Sequence, residues 1–163
     1  MHVKLIKNYL YLNDYKLKCS VGKRGINAKK REGDLTTPKS ALKLKYVLYR
    51  SDRVRNLESK LKKVIIKKNM GWCDDYRSSR YNKIIKYPFN YRSEKLYRKD
   101  NMYDIVVVTD YNSNPTVKKR GSAIFLHIAK KKYQKTKGCI AISKRDMRVF
   151  LKAIMKKTII KIF

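Results

Sequence analysis

The chain has 163 residues, 43 Lys+Arg against 12 Asp+Glu, a net charge of +31 and 43% apolar residues. That length and apolar content fit one domain with a real core and exclude intrinsic disorder despite the charge. Three Cys are too few for a disulfide scaffold, no run reaches 18 apolar residues, and no period marks a collagen, coiled coil or repeat array.

Residues 1–21 read as one or two short strands. Lys4, Lys7, Asn8, Asn13 and Asp14 interrupt every apolar run, so the segment lacks the h-region of a secretory signal. Tyr9 and Tyr11 alternate with Leu10 and Leu12, and Tyr15, Leu17 and Cys19 follow with the same period. Gly22, Gly25, Gly33 and Pro38 punctuate a charged connection over 22–38. The spacing predicts a half-buried strand over 41–50 and a short strand at Val64–Ile66. Residues 71–91, with Trp72, Cys73, Asp74, Asp75 and Pro88, read mostly as loop. Residues 103–109 (YDIVVVT) predict the best buried strand, 112–115 a turn, 121–129 (GSAIFLHIA) another strand, 130–137 a Lys-rich loop and 138–142 a further strand. Ser143 with Asp146 three residues on resembles a capping box. Met147, Phe150, Leu151, Ile154 and Met155 then follow at helical spacing. Residues 158–163 close with an apolar strand. The expected fold is mainly β with a packed C-terminal helix, in a single domain over 1–163.

The charge invites a nucleic-acid reading. Lys outnumbers Arg by 31 to 12, however, and Lys sits in nearly every segment. A drift toward Lys, Asn, Ile and Tyr produces this composition without a polyanion partner, whereas proteins that read bases lean on Arg. The stretch Val21-Gly22-Lys23-Arg24-Gly25-Ile26 echoes the GXXG loop of KH domains, but its flanks are not the two helices such a loop needs. No specific nucleic-acid partner is expected, and a basic nucleic-acid-binding protein is the alternative function.

His127 and Cys139 carry the candidate chemistry. If the strands around them form a hairpin centred near Tyr133, the two residues face each other on one side of an antiparallel pair. An imidazole beside a thiol promotes loss of its proton and makes a nucleophile at neutral pH. Gly138 leaves room for a substrate carbonyl beside the sulfur, with backbone N–H groups as oxyanion donors. A buried core Cys and a satisfied core His are the plainer alternatives. A zinc site of Cys19, Cys73, His127 and Cys139 is weaker, because no C-x-x-C pair exists, so no cofactor or metal is expected. Trp72 reads as a packing anchor and Cys73 as a buried thiol. Glu32 and Asp34, beside Lys30 and Arg31, read as an ion-pair network.

Gly121-Ser122-Ala123-Ile124-Phe125-Leu126-His127-Ile128-Ala129 followed by Thr136-Lys137-Gly138-Cys139-Ile140-Ala141 resembles the catalytic signature of L,D-transpeptidases, the YkuD-type catalytic domain. Gly22-x-x-Gly25-Ile26, Lys30-Arg31-Glu32-Gly33-Asp34, Thr37-Pro38, Tyr49-Arg50-x-Asp52-Arg53 and Gly71-Trp72-Cys73-Asp74-Asp75 resemble the short, stand-alone branch. So do Tyr81-Asn82, Ser93-Glu94-x-Leu96 and Tyr103-Asp104, and the likeness spans roughly residues 19–162. It implies that family's β fold and a cysteine acyltransferase acting on peptidoglycan stem peptides, with Cys139 as nucleophile and His127 as base. It also implies Gly138 and Thr136 in the oxyanion and substrate region, and Tyr81, Asn82 and Asp104 as substrate-binding candidates. Ile128, Lys137 and Ala141 stand where many members carry Gly, His, and Arg or Asn. The resemblance implies 3→3 cross-linking, exchange or hydrolysis at the cell envelope, without a signal peptide in this chain.

Overall fold

The computed structural model describes residues 1–29 and 31–163; Lys30 lies outside the described residues. The chain opens with three strands, β1 (His2–Ile6), β2 (Tyr9–Leu12) and β3 (Tyr15–Ser20), then the short pair β4 (Ile26–Asn27) and β5 (Thr37–Pro38). The long β6 (Ala41–Tyr49) and β7 (Lys62–Ile65) follow, then β8 (Met70–Cys73), β9 (Ile84–Lys86) and β10 (Ser93–Lys95). Three further strands, β11 (Ile105–Thr109), β12 (Phe125–Ile128) and β13 (Ile140–Ile142), lead to the helix α1 (Lys144–Ala153) and the last strand β14 (Ile159–Ile162).

Nine strands form one sheet in the order β11-β12-β13-β3-β2-β1-β14-β6-β7, and β11 also pairs with β6. That pairing closes eight of the strands into a barrel-like ring, with β7 added at the outer side of β6. The alternation read from the N-terminal sequence sets which side chains enter. Val3, Leu5, Leu10, Leu12 and Leu17 point inward while Lys4, Tyr9, Tyr11, Lys16 and Lys18 point out. Helix α1 supplies Met147, Phe150 and Leu151 to the same core. Each such fully buried side chain contributes about 1.5–3 kcal/mol relative to exposure, so Leu10→Ala alone would cost about 2–5 kcal/mol.

A second core lies on the opposite face of the same strands. β11 is buried at every position. Ile105 and Val107 enter the ring core, while Val106 and Val108 join Leu48 and Phe125 under Trp72, Met70 and Leu96. A strand covered on both faces reads as a continuous apolar run, which is why IVVV stands out. The cover is a three-stranded antiparallel sheet, β10-β8-β9. Residues 71–91, expected to be mostly loop, thus contain parts of two strands. Gly71 and Trp72 lack an alternating pattern because β8 is buried at all four residues.

Other boundaries shift. The expected strand over 121–129 is extended only over Phe125–Ile128, and the one from 138 begins at Ile140. The helix starts as read, with the Ser143 hydroxyl accepting from Asp146 N at 3.0 Å, but ends at Ala153, because Ile154 turns extended. Met155 is therefore exposed rather than part of the apolar face. The Gly22–Gly25 segment lies between two strands, β3 and β4, not between two helices.

Candidate active site

The expected hairpin does not form. β12 and β13 run parallel, with Leu126 beside Ile140, His127 beside Ala141 and Ile128 beside Ile142. The connection from Ala129 to Cys139 holds a single 3₁₀ turn at Lys131–Tyr133 and returns to start β13 at the same end as β12. A Lys-rich connection with no Asn-Gly or similar dipeptide carries no hairpin instruction. The parallel arrangement nevertheless keeps the pair together. Phe125 and His127 share one face of β12 by the two-residue period. In this register Cys139, just before β13, stands level with Phe125, and both residues belong to the second core. His127 and Cys139 line one cleft of about 660 Å³, with Glu94, Tyr103, Thr136 and Gly138 also in its wall.

Both described hydrogen bonds of the sulfur are with backbone. Cys139 Sγ donates to the Ala123 carbonyl at 2.9 Å and accepts from Phe125 N at 3.4 Å. Burial pushes the Cys139 thiol up to about 12. His127 is 4% exposed, and its Nδ1 meets the Ile128 carbonyl at 2.9 Å. A carbonyl can only accept, so Nδ1 carries the proton and Nε2 keeps its lone pair. Burial holds His127 down to about 4, so the imidazole is neutral at pH 7. The resting site thus holds a neutral thiol and a neutral base, and the sulfur's hydrogen rests on Ala123.

The surrounding loops fix this geometry. Gly138 has φ +141°, and a Cβ there would sit 3.0 Å from the Thr36 carbonyl oxygen. Thr136 Oγ1 donates to the Cys139 carbonyl at 2.6 Å and accepts from Gly138 N at 3.1 Å, so it clamps the turn that presents the sulfur. Thr37 Oγ1 donates to the Gly138 carbonyl at 2.8 Å and accepts from Gly22 N at 2.8 Å, tying in β5 and the first glycine segment.

Three of the candidate residues lie away from the cleft lining. Asn82 Oδ1 accepts from Trp72 Nε1 at 3.1 Å and from Ala123 N at 3.0 Å, while Nδ2 donates to the Tyr111 and Asn112 carbonyls at 2.9 and 2.7 Å. All its side-chain hydrogen-bonding capacity is used within the protein, tying Trp72 and the Tyr111–Asn112 turn to Ala123, itself at φ +50°. Tyr81 donates to Glu32 Oε2 at 2.5 Å and accepts from Gly121 N at 3.1 Å. Asp104, 3% exposed, pairs with Arg53 at 3.2 Å and Lys144 at 3.1 Å, joining β11 to the start of α1. Trp72 packs edge-on against Phe125 at 4.9 Å, the anchor role expected for it. Cys19 and Cys73 are buried, and no group of three or more metal-ligating side chains occurs among the described residues. Asp34 receives Lys29 Nζ at 2.5 Å, while Glu32 accepts from Tyr81 instead of a basic side chain, so among the described residues the expected network with Lys30 and Arg31 is met at Asp34, through Lys29; Lys30 lies outside the described residues.

Sequence reasoning singled out Asp104, but its neighbour Tyr103 is the residue that reaches His127. The Tyr103 ring stands edge-on to His127 at 5.5 Å. Burial raises the Glu94 carboxyl above its ordinary range. Strand alternation would not have found this, since a two-residue period puts Tyr103 with Ile105 and Val107 on the ring-core face, whereas it packs in the second core with Val106 and Val108. The Ala123 carbonyl had no signal at all, because nothing in Gly-Ser-Ala announces a left-handed alanine.

Among curated proteins, no match to the chain is found. A family model described as the L,D-transpeptidase catalytic domain, YkuD, matches residues 5–162. That span includes the second core, all of the ring core but Val3 and the whole of the cleft, and the chain belongs to the L,D-transpeptidase catalytic-domain family.

Proposed function

We propose that the chain works as one catalytic unit, a cysteine-dependent L,D-transpeptidase acting on peptidoglycan stem peptides, with Cys139 as nucleophile and His127 as general base. One observation carries this reading. The cleft is lined by a thiol and a tautomerically fixed imidazole on the same face of neighbouring segments, with a glycine turn immediately before the sulfur.

In the reaction the thiol leaves the Ala123 carbonyl and gives its proton to His127 Nε2. The sulfur attacks the carbonyl carbon of the scissile peptide bond, forming C–S as the π electrons move to oxygen. The Cys139 N–H is the donor for that oxyanion, because the Gly138 N–H is already taken by Thr136 Oγ1. Collapse breaks C–N, and His127 returns its proton to the leaving amine. An acceptor amine, or water, then attacks the thioester, and C–S breaks to restore the thiol. An amine from a second stem gives the 3→3 cross-link, a free amino acid gives exchange and water gives hydrolysis. This chemistry belongs at the cell envelope, where such stems are found.

The test is the intact mass after incubation with a carbapenem, whose strained amide is opened by such nucleophiles. The protein should gain one whole inhibitor mass at Cys139, and Cys139→Ser should gain none. Addition to Cys139→Ser equal to the wild type would overturn the assignment.

A further inference from the structure

The outward face of β14-β1-β2-β3, remote from the cleft lining, pairs two kinds of side chain in register. Lys161 lies beside Lys4, Lys4 beside Tyr11, and Tyr11 beside Lys16, one basic row across four strands. The adjacent row is apolar and aromatic. Phe163 N bonds the Leu5 carbonyl at 3.2 Å, which brings Phe163 alongside Ile6, and Ile6 is paired with Tyr9. Ile6 is 41% exposed and Phe163 53%. Tyr9 continues the row to Lys18.

Among the described ion pairs, no Asp or Glu side chain answers the basic row. Of the twelve Asp and Glu, only Asp14 falls within residues 1–28, and none follows Asp146. The described ion pairs all lie between Lys29 and Lys152. Like charges paired directly across strands are destabilising, and Lys4 and Lys161 are such a pair. The unanswered charge is also felt by His2, whose ordinary pKa is lowered chiefly by Lys161. Lysine is spread widely along the chain, but the acids are not, and this asymmetry is what composition alone leaves unexplained.

We propose that this face docks on an anionic lipid bilayer, with lysine ammoniums among the headgroups and Ile6, Phe163 and Tyr9 at the acyl boundary. Basic residues beside exposed apolar and aromatic ones are the arrangement that interfaces of this kind reward. A soluble phosphodiester polymer fits less well. Its phosphates would meet the lysines, but nothing in it buries Ile6 and Phe163. The tyrosine faces that bases would need already carry Lys16 Nζ, 4.5 Å from the Tyr9 centroid and 5.9 Å from that of Tyr11. No arginine occupies either row. Docking here needs no membrane-spanning helix, and none of the helices is long and apolar enough to be one among the described residues.

The proposal stands apart from the catalytic reading and is tested without it, by co-sedimentation with vesicles. Wild-type protein should pellet with phosphatidylglycerol–phosphatidylcholine vesicles and stay in solution with pure phosphatidylcholine. Lys4→Gln with Lys161→Gln should lower partitioning about 25-fold, roughly fivefold for each lysine. Ile6→Ser with Phe163→Ser, which leaves the charge unchanged, should lower it about tenfold. Lys62→Gln with Lys68→Gln, elsewhere on the surface, should change it less than twofold. Acetylation of the wild-type protein on vesicles gives a readout independent of any variant's folding, with Lys4, Lys16 and Lys161 protected and Lys62 and Lys68 not. Equal loss in the Lys62/Lys68 control, or uniform protection, would overturn the proposal in favour of diffuse charge. Unchanged partitioning of Ile6→Ser/Phe163→Ser, together with tight binding of single-stranded DNA that displaces the vesicles, would overturn it in favour of a polymer site.

Discussion

Replacing His127 by Ala separates a catalytic imidazole from a structural one. The residue is 4% exposed, its Nδ1 satisfies the Ile128 carbonyl at 2.9 Å, and the Tyr103 ring lies edge-on at 5.5 Å. Removing the donor leaves a buried acceptor unpaired at about 1–3 kcal/mol, and loss of the ring pair adds about 0.5–1.5 kcal/mol. For a domain of this size each kcal/mol moves the melting midpoint by roughly 2–4 °C. His127→Ala should therefore melt about 5–15 °C lower while remaining folded at 25 °C. A structural histidine would have that effect alone. A general base adds a second loss, about 10²–10⁴-fold in the rate of acylation by a carbapenem at pH 7.5. Alkylation by iodoacetamide at pH 10 provides the control, because a base is not needed when hydroxide ionises the thiol. That rate should stay within a few-fold of the wild type, showing that Cys139 is still presented. A lowered midpoint with acylation within threefold of the wild type would refute the catalytic reading of His127.

Three further predictions follow from the same geometry. With Cys139 pushed to about 12 against an ordinary 9.0, its ionised fraction at neutral pH is about 10³-fold below that of a free thiol. Alkylation should rise about tenfold per pH unit from 7 to 10 with no plateau, yet still reach Cys139 before the buried Cys19 and Cys73; a plateau near pH 6 would instead show a preformed thiolate–imidazolium pair. Gly138→Ala forces a side chain into φ +141° and against the Thr36 carbonyl, at about 1–3 kcal/mol, and acylation should fall at least tenfold more than the stability loss explains, read as rate against melting midpoint. His127 binds a proton at about 4 when folded and at an ordinary 6.5 when unfolded. Its contribution to stability is therefore complete above pH 6.5 and is lost as pH falls toward 4, by about 3 kcal/mol. Denaturant midpoints should show that slope in the wild type and lose it in His127→Ala.

The parts of the fold legible in the sequence are those where one periodicity acts alone. Leu10 and Leu12 against Tyr9 and Tyr11 announce a strand with one wet face, and Ser143, Met147, Phe150 and Leu151 announce a capped amphipathic helix. Where both faces are covered, as at Gly71 and Trp72, the alternation vanishes and with it the signal. The pairing of β12 with β13 was illegible for a different reason: a parallel neighbour is fixed by tertiary closure, and no residue between Ala129 and Cys139 encodes it. The candidate pair survived the wrong pairing because a two-residue period puts His127 and Phe125 on one face whichever way β13 runs. The family likeness drew attention to Tyr81, Asn82 and Asp104 as positions, but their hydrogen bonds within the protein emerge only from the folded chain.

The parallel return from β12 to β13 also divides the labour of the molecule. In a hairpin, the residues between His127 and Cys139 would form a tight tip, and changing their number would alter the register of base and nucleophile. Here the connection travels the length of the strand pair, and Lys130, Gln134, Lys135 and Lys137 from it line the cleft. The strands fix His127 and Cys139, while the connection builds a wall that can change composition or length with the registers intact. Variation can therefore accumulate in what the cleft admits without moving His127 relative to Cys139, and Lys137 is one position where it can.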